Sequence, residues 1–247
     1  MQIKLINTER YFIITLCLFF NSLIVYCLND TIISKNKRLT GQQHRAYESL
    51  VKTDPLARMV PIFKKPGLIK LDLRYQTASN FTGKVLYAPT ACTFLRKPVY
   101  DALMLAAASF RESGFGIVIW DAYRPYNATV TMWELIQDER YVAHPAKGSG
   151  HNRGIAVDLT LYRLSDGLLL DMGTDFDEFT EKAHVSFTNL PQAVLDNREI
   201  LQSTMEKAGF KVLETEWWHF YWPGGNDFTI LDLSFDTLLQ SYNKSRK

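Results

Sequence analysis

Two histidines, an aspartate and a glutamate stand in stretches otherwise built of apolar residues. In "SGHNRGIAVDL", Ser149–Leu159, His151 and Asp158 flank a glycine-bearing segment. In "ETEWWHFYW", Glu214–Trp222, Glu216 precedes His219 by three residues among aromatic side chains that keep the surroundings dry. A catalytic zinc uses three protein ligands, one position left open to water and a nearby carboxylate that takes the water's proton. His151, Asp158 and His219 fit the ligands of one Zn2+ per chain, and Glu216 fits the base. Hydrolysis is the chemistry this set predicts. A structural zinc site uses four protein ligands, usually rich in cysteine, and Cys92 is the sole cysteine after residue 28. Arg124 in "WDAYRP", Trp120–Pro125, follows an apolar run and is held by a proline, a place from which it can stabilise negative charge on an attacked carbonyl oxygen. A structural ion pair between Arg124 and Asp121 is the competing reading.

These side chains need particular elements beneath them. In "GIAVDLTL" the residues Ile155, Val157, Leu159 and Leu161 alternate with Ala156, Asp158 and Thr160, so a strand over Ala156–Tyr162 buries one face and carries Asp158 on the other. His151 lies an odd number of residues earlier and would point the opposite way in one continuous strand. Gly150 and Gly154 allow the turn that swings it back toward Asp158. The bland alternative is a loop histidine and a capping aspartate that never meet. Glu216 and His219 pose the same parity problem, which predicts a turn or bulge around Glu216 in a strand that runs to Trp222.

Elsewhere, Val99–Ser113 reads as a helix closed by Gly114, Gly114–Trp120 as a central strand, Thr129–Arg140 as a helix, and Asn197–Ala208 as a helix stopped by Gly209. Helices and strands mix without regular βαβ repetition. The fold class expected is α+β, a single compact domain with a central, mostly antiparallel sheet flanked by helices. With 247 residues, 47% hydrophobic and 22% charged, the chain can bury one sizeable core.

Residues 1–28 differ in kind. Lys4 and Arg10 precede an uncharged run, Tyr11–Leu28, that reads as a signal peptide or membrane anchor. Tyr26, where a small residue is expected before a lipid-modified cysteine, argues against lipidation of Cys27. Residues 29–54 read as a polar linker and 55–247 as the domain that carries the zinc site. The protein is therefore expected to be exported, whether periplasmic, secreted or membrane-anchored, with membrane contact through residues 1–28 only. The formal net charge is +2, of which residues 1–28 contribute +1, so no nucleic-acid surface is implied.

Five stretches resemble the D-alanyl-D-alanine dipeptidases, zinc metallopeptidases related to the enzyme of vancomycin resistance. They are "DLRYQTASNFTGK" (Asp72–Lys84), "WDAYRP", "SGHNRGIAVDLTLYRL" (Ser149–Leu164), "MGTDFDEF" (Met172–Phe179) and "EWWH" (Glu216–His219). The resemblance implies the same ligands, base and oxyanion stabiliser as the chemistry does. It adds Ser149 and Asp177 as substrate-binding residues, with Asp177 facing the free ammonium of a small dipeptide. The function expected is cell-wall-related hydrolysis of D-alanyl-D-alanine. The alternatives are a D,D-carboxypeptidase or endopeptidase acting on longer peptidoglycan stems, or a non-catalytic, zinc-stabilised binding domain, against which the intact Glu216 argues. His144 and His184 are left as surface or supporting residues, Trp217 and Trp218 as wall and core, and Cys92 as a small buried side chain.

Overall fold

The computed structural model describes residues 41–245. The signal or anchor segment expected over residues 1–28 and the first part of the linker lie outside the described residues. Helix α1 spans 41–53. Strands β1 (Met59–Phe63), β2 (Ile69–Leu71) and β3 (Cys92–Arg96) follow, and β3 runs directly into α2 (Lys97–Glu112). Then come β4 (Phe115–Asp121), α3 (Tyr126–Ile136), the one-turn α4 (Gly150–Arg153) and β5 (Ala156–Arg163). Helix α5 (Gln192–Lys207), β6 (Lys211–Leu213), β7 (Glu216–Tyr221) and α6 (Phe235–Lys244) complete the order.

The expected alternation of β5 builds the sheet. Strands lie in the order β2-β4-β5-β7-β6, with β2 parallel to β4 and every other pair antiparallel. Val157, Leu159 and Leu161 share a core with Ile117 and Ile119 of β4, with Val99, Leu103, Ala106 and Phe110 of α2, and with Leu201 and Met205 of α5. Each such large aliphatic or aromatic side chain contributes about 1.5–3 kcal/mol on burial. Asp158 and Thr160 alternate with these residues and so lie on the sheet's other face, yet both are buried. A second sheet, β1 paired antiparallel with β3, packs with Tyr75, Tyr123, Met132 and Phe235 in a separate cluster. The architecture is α+β in a single domain with a mostly antiparallel central sheet, as the sequence predicts.

Several boundaries move, for local reasons. Helix α3 begins at Tyr126, right after Pro125, and ends before Gln137, whose φ of 49° is left-handed. It is therefore displaced toward the N-terminus from the expected 129–140. Helix α5 begins after Pro191, five residues ahead of Asn197. In both cases proline fixes the φ that a helix start needs and forfeits an N–H the first turn could not use. Residues 41–53, expected to be linker, are helical, and the compact unit begins at Ala46 rather than Pro55. Tyr47 is the cause: its ring is buried and its hydroxyl accepts from Met59 N at 2.9 Å. Val51, one turn further on, packs against the same cluster.

Candidate active site

His151 reaches the site on a single helical turn. Ser149 caps that turn: its Oγ accepts from His151 N at 3.1 Å, and Ser149 N donates to Asn152 Oδ1 at 2.9 Å. Gly154 ends it at φ 72°, in the left-handed region where a side chain would also strike Met59. The glycine-dependent reversal expected before β5 is thus a capped turn, and it swings the imidazole over the sheet. His151 Nδ1 donates to Ala122 O at 2.7 Å, so Nε2 is the nitrogen turned toward Asp158 and His219.

Strand pairing supplies the rest. Asp158 on β5 sits opposite His219 on β7. His219 Nδ1 lies 2.9 Å from Asp158 Oδ1, and His151 Nε2 lies 3.3 Å from Asp158 Oδ2 and 3.2 Å from His219 Nδ1. The two strand-borne residues and the helical one therefore present one oxygen and two nitrogens to a common point. Ligands held tetrahedrally at zinc's usual bond lengths stand roughly 3.3 Å from one another. The donor set therefore suits such an ion in chemistry and in spacing.

Burial lowers the His219 pKa, which keeps the imidazole neutral as a metal ligand requires. Burial alone would raise that of Asp158, but the two imidazoles outweigh it and hold the carboxyl well below its ordinary range.

Glu216 opens β7, and its Oε2 stands 3.7 Å from His219 Nδ1. The β6–β7 register jumps from Val212↔Phe220 to Leu213↔Glu216, so Trp217, Trp218 and His219 form the expected irregularity on β7. Trp217 and Trp218 are buried as wall and core. Burial raises the Glu216 pKa well above the usual value, helped by Asp158 and Asp177 and opposed by Arg124.

Arg124 forms the ion pair with Asp121 that the sequence allowed, and its side chain also lines the cleft. Its Nε and Nη2 each donate to Asp121 Oδ2 at 2.8 Å, and Nη2 stands 3.8 Å from Asp158 Oδ2. Burial opposes its charge, yet Asp121, Tyr75 and Asp158 more than compensate and keep it a cation. Asp177 adopts φ 61°, an unusual conformation for a non-glycine residue. The Tyr75 hydroxyl, 2.9 and 3.0 Å from its two oxygens, donates to this carboxylate. Burial first, then Asp158, push the Asp177 carboxyl up to about 8.

Ser149, His151, Asp158, Asp177, Glu216, His219 and Arg124 all line one cleft of about 230 Å³. His144 packs edge-on against Trp133, and its Nδ1 accepts from Ala146 N. His184 passes its carbonyl to Arg198. Neither belongs to the donor cluster. Three supporting residues escape sequence reasoning. Tyr75 lies inside a quoted motif without an assigned task. Asn152 donates to Arg124 O and Thr129 Oγ1 at 2.9 Å each, and so ties the turn of α4 to the start of α3. Asp121, with no measurable exposure, figured only as a rival explanation for Arg124.

Asp121 and Asp158 lie 2.8 and 3.8 Å from the Arg124 guanidinium, and the carboxyls of Asp177 and Glu216 share the same buried site, a concentration of oxygen donors that suits a cation. A centre of this kind defines a hydrolase with a candidate metal site, able to activate water beside a polarised carbonyl. Known proteins narrow the class. A family model described as D-ala-D-ala dipeptidase matches residues 58–236. A D-alanyl-D-alanine dipeptidase of Escherichia coli (strain K12) is 37% identical over 171 residues, covering 69% of this chain and 88% of that protein. Its counterparts in Enterococcus faecalis (strain ATCC 700802 / V583) and Streptomyces coelicolor (strain ATCC BAA-471 / A3(2) / M145) are 32% and 34% identical, each match covering 62% of this chain and 85% of the relative. The chain belongs to the D-Ala-D-Ala dipeptidase family and is a peptidase.

Proposed function

We propose that the protein is a zinc-dependent D,D-dipeptidase that hydrolyses D-alanyl-D-alanine or a close dipeptide, and that it does so after export. His151, Asp158 and His219 would hold the ion, which when bound lowers the pKa of water and polarises the peptide carbonyl. Glu216 takes the proton of the attacking water and delivers it to the leaving amine. Arg124 faces the negative charge that develops on the carbonyl oxygen. Asp177 receives the substrate ammonium, a partner that would stabilise the ionised form of its carboxylate, and Ser149 helps hold the dipeptide beside the turn it caps.

The position of Glu216 carries this reading: a buried carboxylate adjoins the triad at 3.7 Å from one ligand nitrogen yet stands apart from the three clustered donors. Such a group argues against a non-catalytic binding domain. The cleft volume, about 230 Å³, falls below the ~300–1,000 Å³ typical of sites for drug-sized ligands and suits a very small substrate. Export rests on the uncharged run Tyr11–Leu28 behind Lys4 and Arg10.

The test is metal content measured beside hydrolysis of D-alanyl-D-alanine and of a pentapeptide stem, with and without chelator. One zinc per active chain, chelator-sensitive turnover and strong preference for the dipeptide are expected. Chelator-insensitive hydrolysis overturns the metal assignment, and preference for the stem overturns the substrate.

A further inference from the structure

Asp121 is the most deeply buried of the carboxylates in the site, and no step of the reaction proposed above uses it. It ends β4 at a register shift opposite Asp158, and two functional side chains lie near its Oδ2. His151 Nδ1 is 3.5 Å away, but that nitrogen has a far better acceptor in Ala122 O at 2.7 Å, so the carbonyl fixes the ring. Arg124 is different. Both Nε and Nη2 converge on Oδ2 at 2.8 Å, a charge-assisted pair of bonds that fixes the plane of the guanidinium. Tyr87 hydroxyl, 3.3 Å from Oδ1, braces the carboxylate from the other side.

The pull that Asp121 counters is also visible. Arg124 Nη2 stands 3.8 Å from Asp158 Oδ2, too far for a hydrogen bond but within reach of a small rotation. A guanidinium released from Asp121 would close on Asp158. It would then lose the orientation that Asp121 sets and compete for an oxygen of the donor triad.

We propose that Asp121 is a positioning residue that acts through Arg124: it holds the guanidinium in the orientation that faces the reacting carbonyl and keeps it off Asp158. The inference rests on the role given above to Arg124, and a double-mutant cycle separates the two. Arg124→Ala alone tests that role and should lower kcat at least about 10²-fold, the scale on which loss of an oxyanion donor is felt. Asp121→Asn keeps the volume and should lower kcat about 10–100-fold, the range for outer groups that orient a site, with KM nearly unchanged because positioning is felt in the transition state. In the Arg124→Ala background Asp121→Asn should cost less than about twofold, since its target is gone.

Thermal unfolding of each variant accompanies the kinetics. Should Asp121→Asn fail to fold, Asp121→Glu carries the same cycle, because the longer side chain displaces the carboxylate without removing its charge. If Arg124→Ala is impaired and the two losses multiply, or if Asp121→Asn retains full kcat, the proposal falls while the role of Arg124 stands. If Arg124→Ala retains full kcat, that role falls and the proposal falls with it.

Discussion

Glu216→Gln tests the reaction most directly, because it removes a proton acceptor and almost nothing else. Glutamine has the same number of heavy atoms, so the buried position 3.7 Å from His219 Nδ1 stays filled. A lost general base costs about 10²–10⁴ in rate, or roughly 3–5 kcal/mol at 1.36 kcal/mol per decade, and kcat should fall by that amount. Stability should move the other way. In the metal-free protein, burial and then Asp158 and Asp177 raise the Glu216 pKa well above its unfolded value. A carboxyl so raised subtracts stability once the pH exceeds its unfolded pKa of about 4.3, because the unfolded chain releases a proton that the folded chain retains. Glutamine carries no such penalty, so the metal-free variant at neutral pH should unfold at the same or a higher temperature than the parent. The assay pairs zinc stoichiometry with steady-state hydrolysis of D-alanyl-D-alanine, and includes His219→Ala as the variant that loses metal and activity together. A Glu216→Gln protein with kcat within about threefold of the parent, or one that sheds its metal as His219→Ala does, refutes the assignment of the base.

Acidification should strip the metal if His151 and His219 are its ligands, because imidazoles bind it only when neutral; zinc retained undiminished well below the imidazole titration range would contradict the proposed ligand set. An N-acetylated dipeptide should be cleaved far more slowly than the free one, since it leaves Asp177 without its ammonium; equal kcat/KM for the two would shift the reading toward longer stem peptides. Gly154→Ala should destabilise the fold by at least about 1–2 kcal/mol, because alanine at φ 72° is strained and its Cβ would stand 2.6 Å from Met59 Cε. An unchanged melting temperature would show that the turn relaxes without cost.

What could be read from the sequence depended on whether a residue's task is visible in its neighbours. The core face of β5 was legible because Ile155, Val157, Leu159 and Leu161 alternate strictly, and the same alternation left Asp158 on the face that bears the site. The parity conflicts of His151 and Glu216 were informative in a second way. Each demanded a local irregularity, and each has one: a capped turn ending at Gly154 and a bulged β7. The helix starts at Tyr126 and Gln192 precede the apolar period because Pro125 and Pro191 set them. Tyr47 and Val51 are too few to leave a periodic signal in a polar stretch. Asp121 and Tyr75 lay in plain view, but their partners are fixed by where β4 and the loop around Asp177 end in space, which no spacing along the chain encodes.

The pairing of Asp158 with His219 also orders events as the chain is made. His151 and Asp158 are close in sequence and can be arranged by β5 and its preceding turn, but the third donor arrives 61 residues later than the second, on a strand that must dock beside β5. Domains fold largely as units, and contacts so distant along the chain close late. An ion that requires all three donors therefore has no complete seat on a partial product of synthesis or on a chain clipped ahead of β7. Capture of the metal would certify that the sheet is finished, and hydrolytic power would appear in one step at the end of folding rather than growing with it.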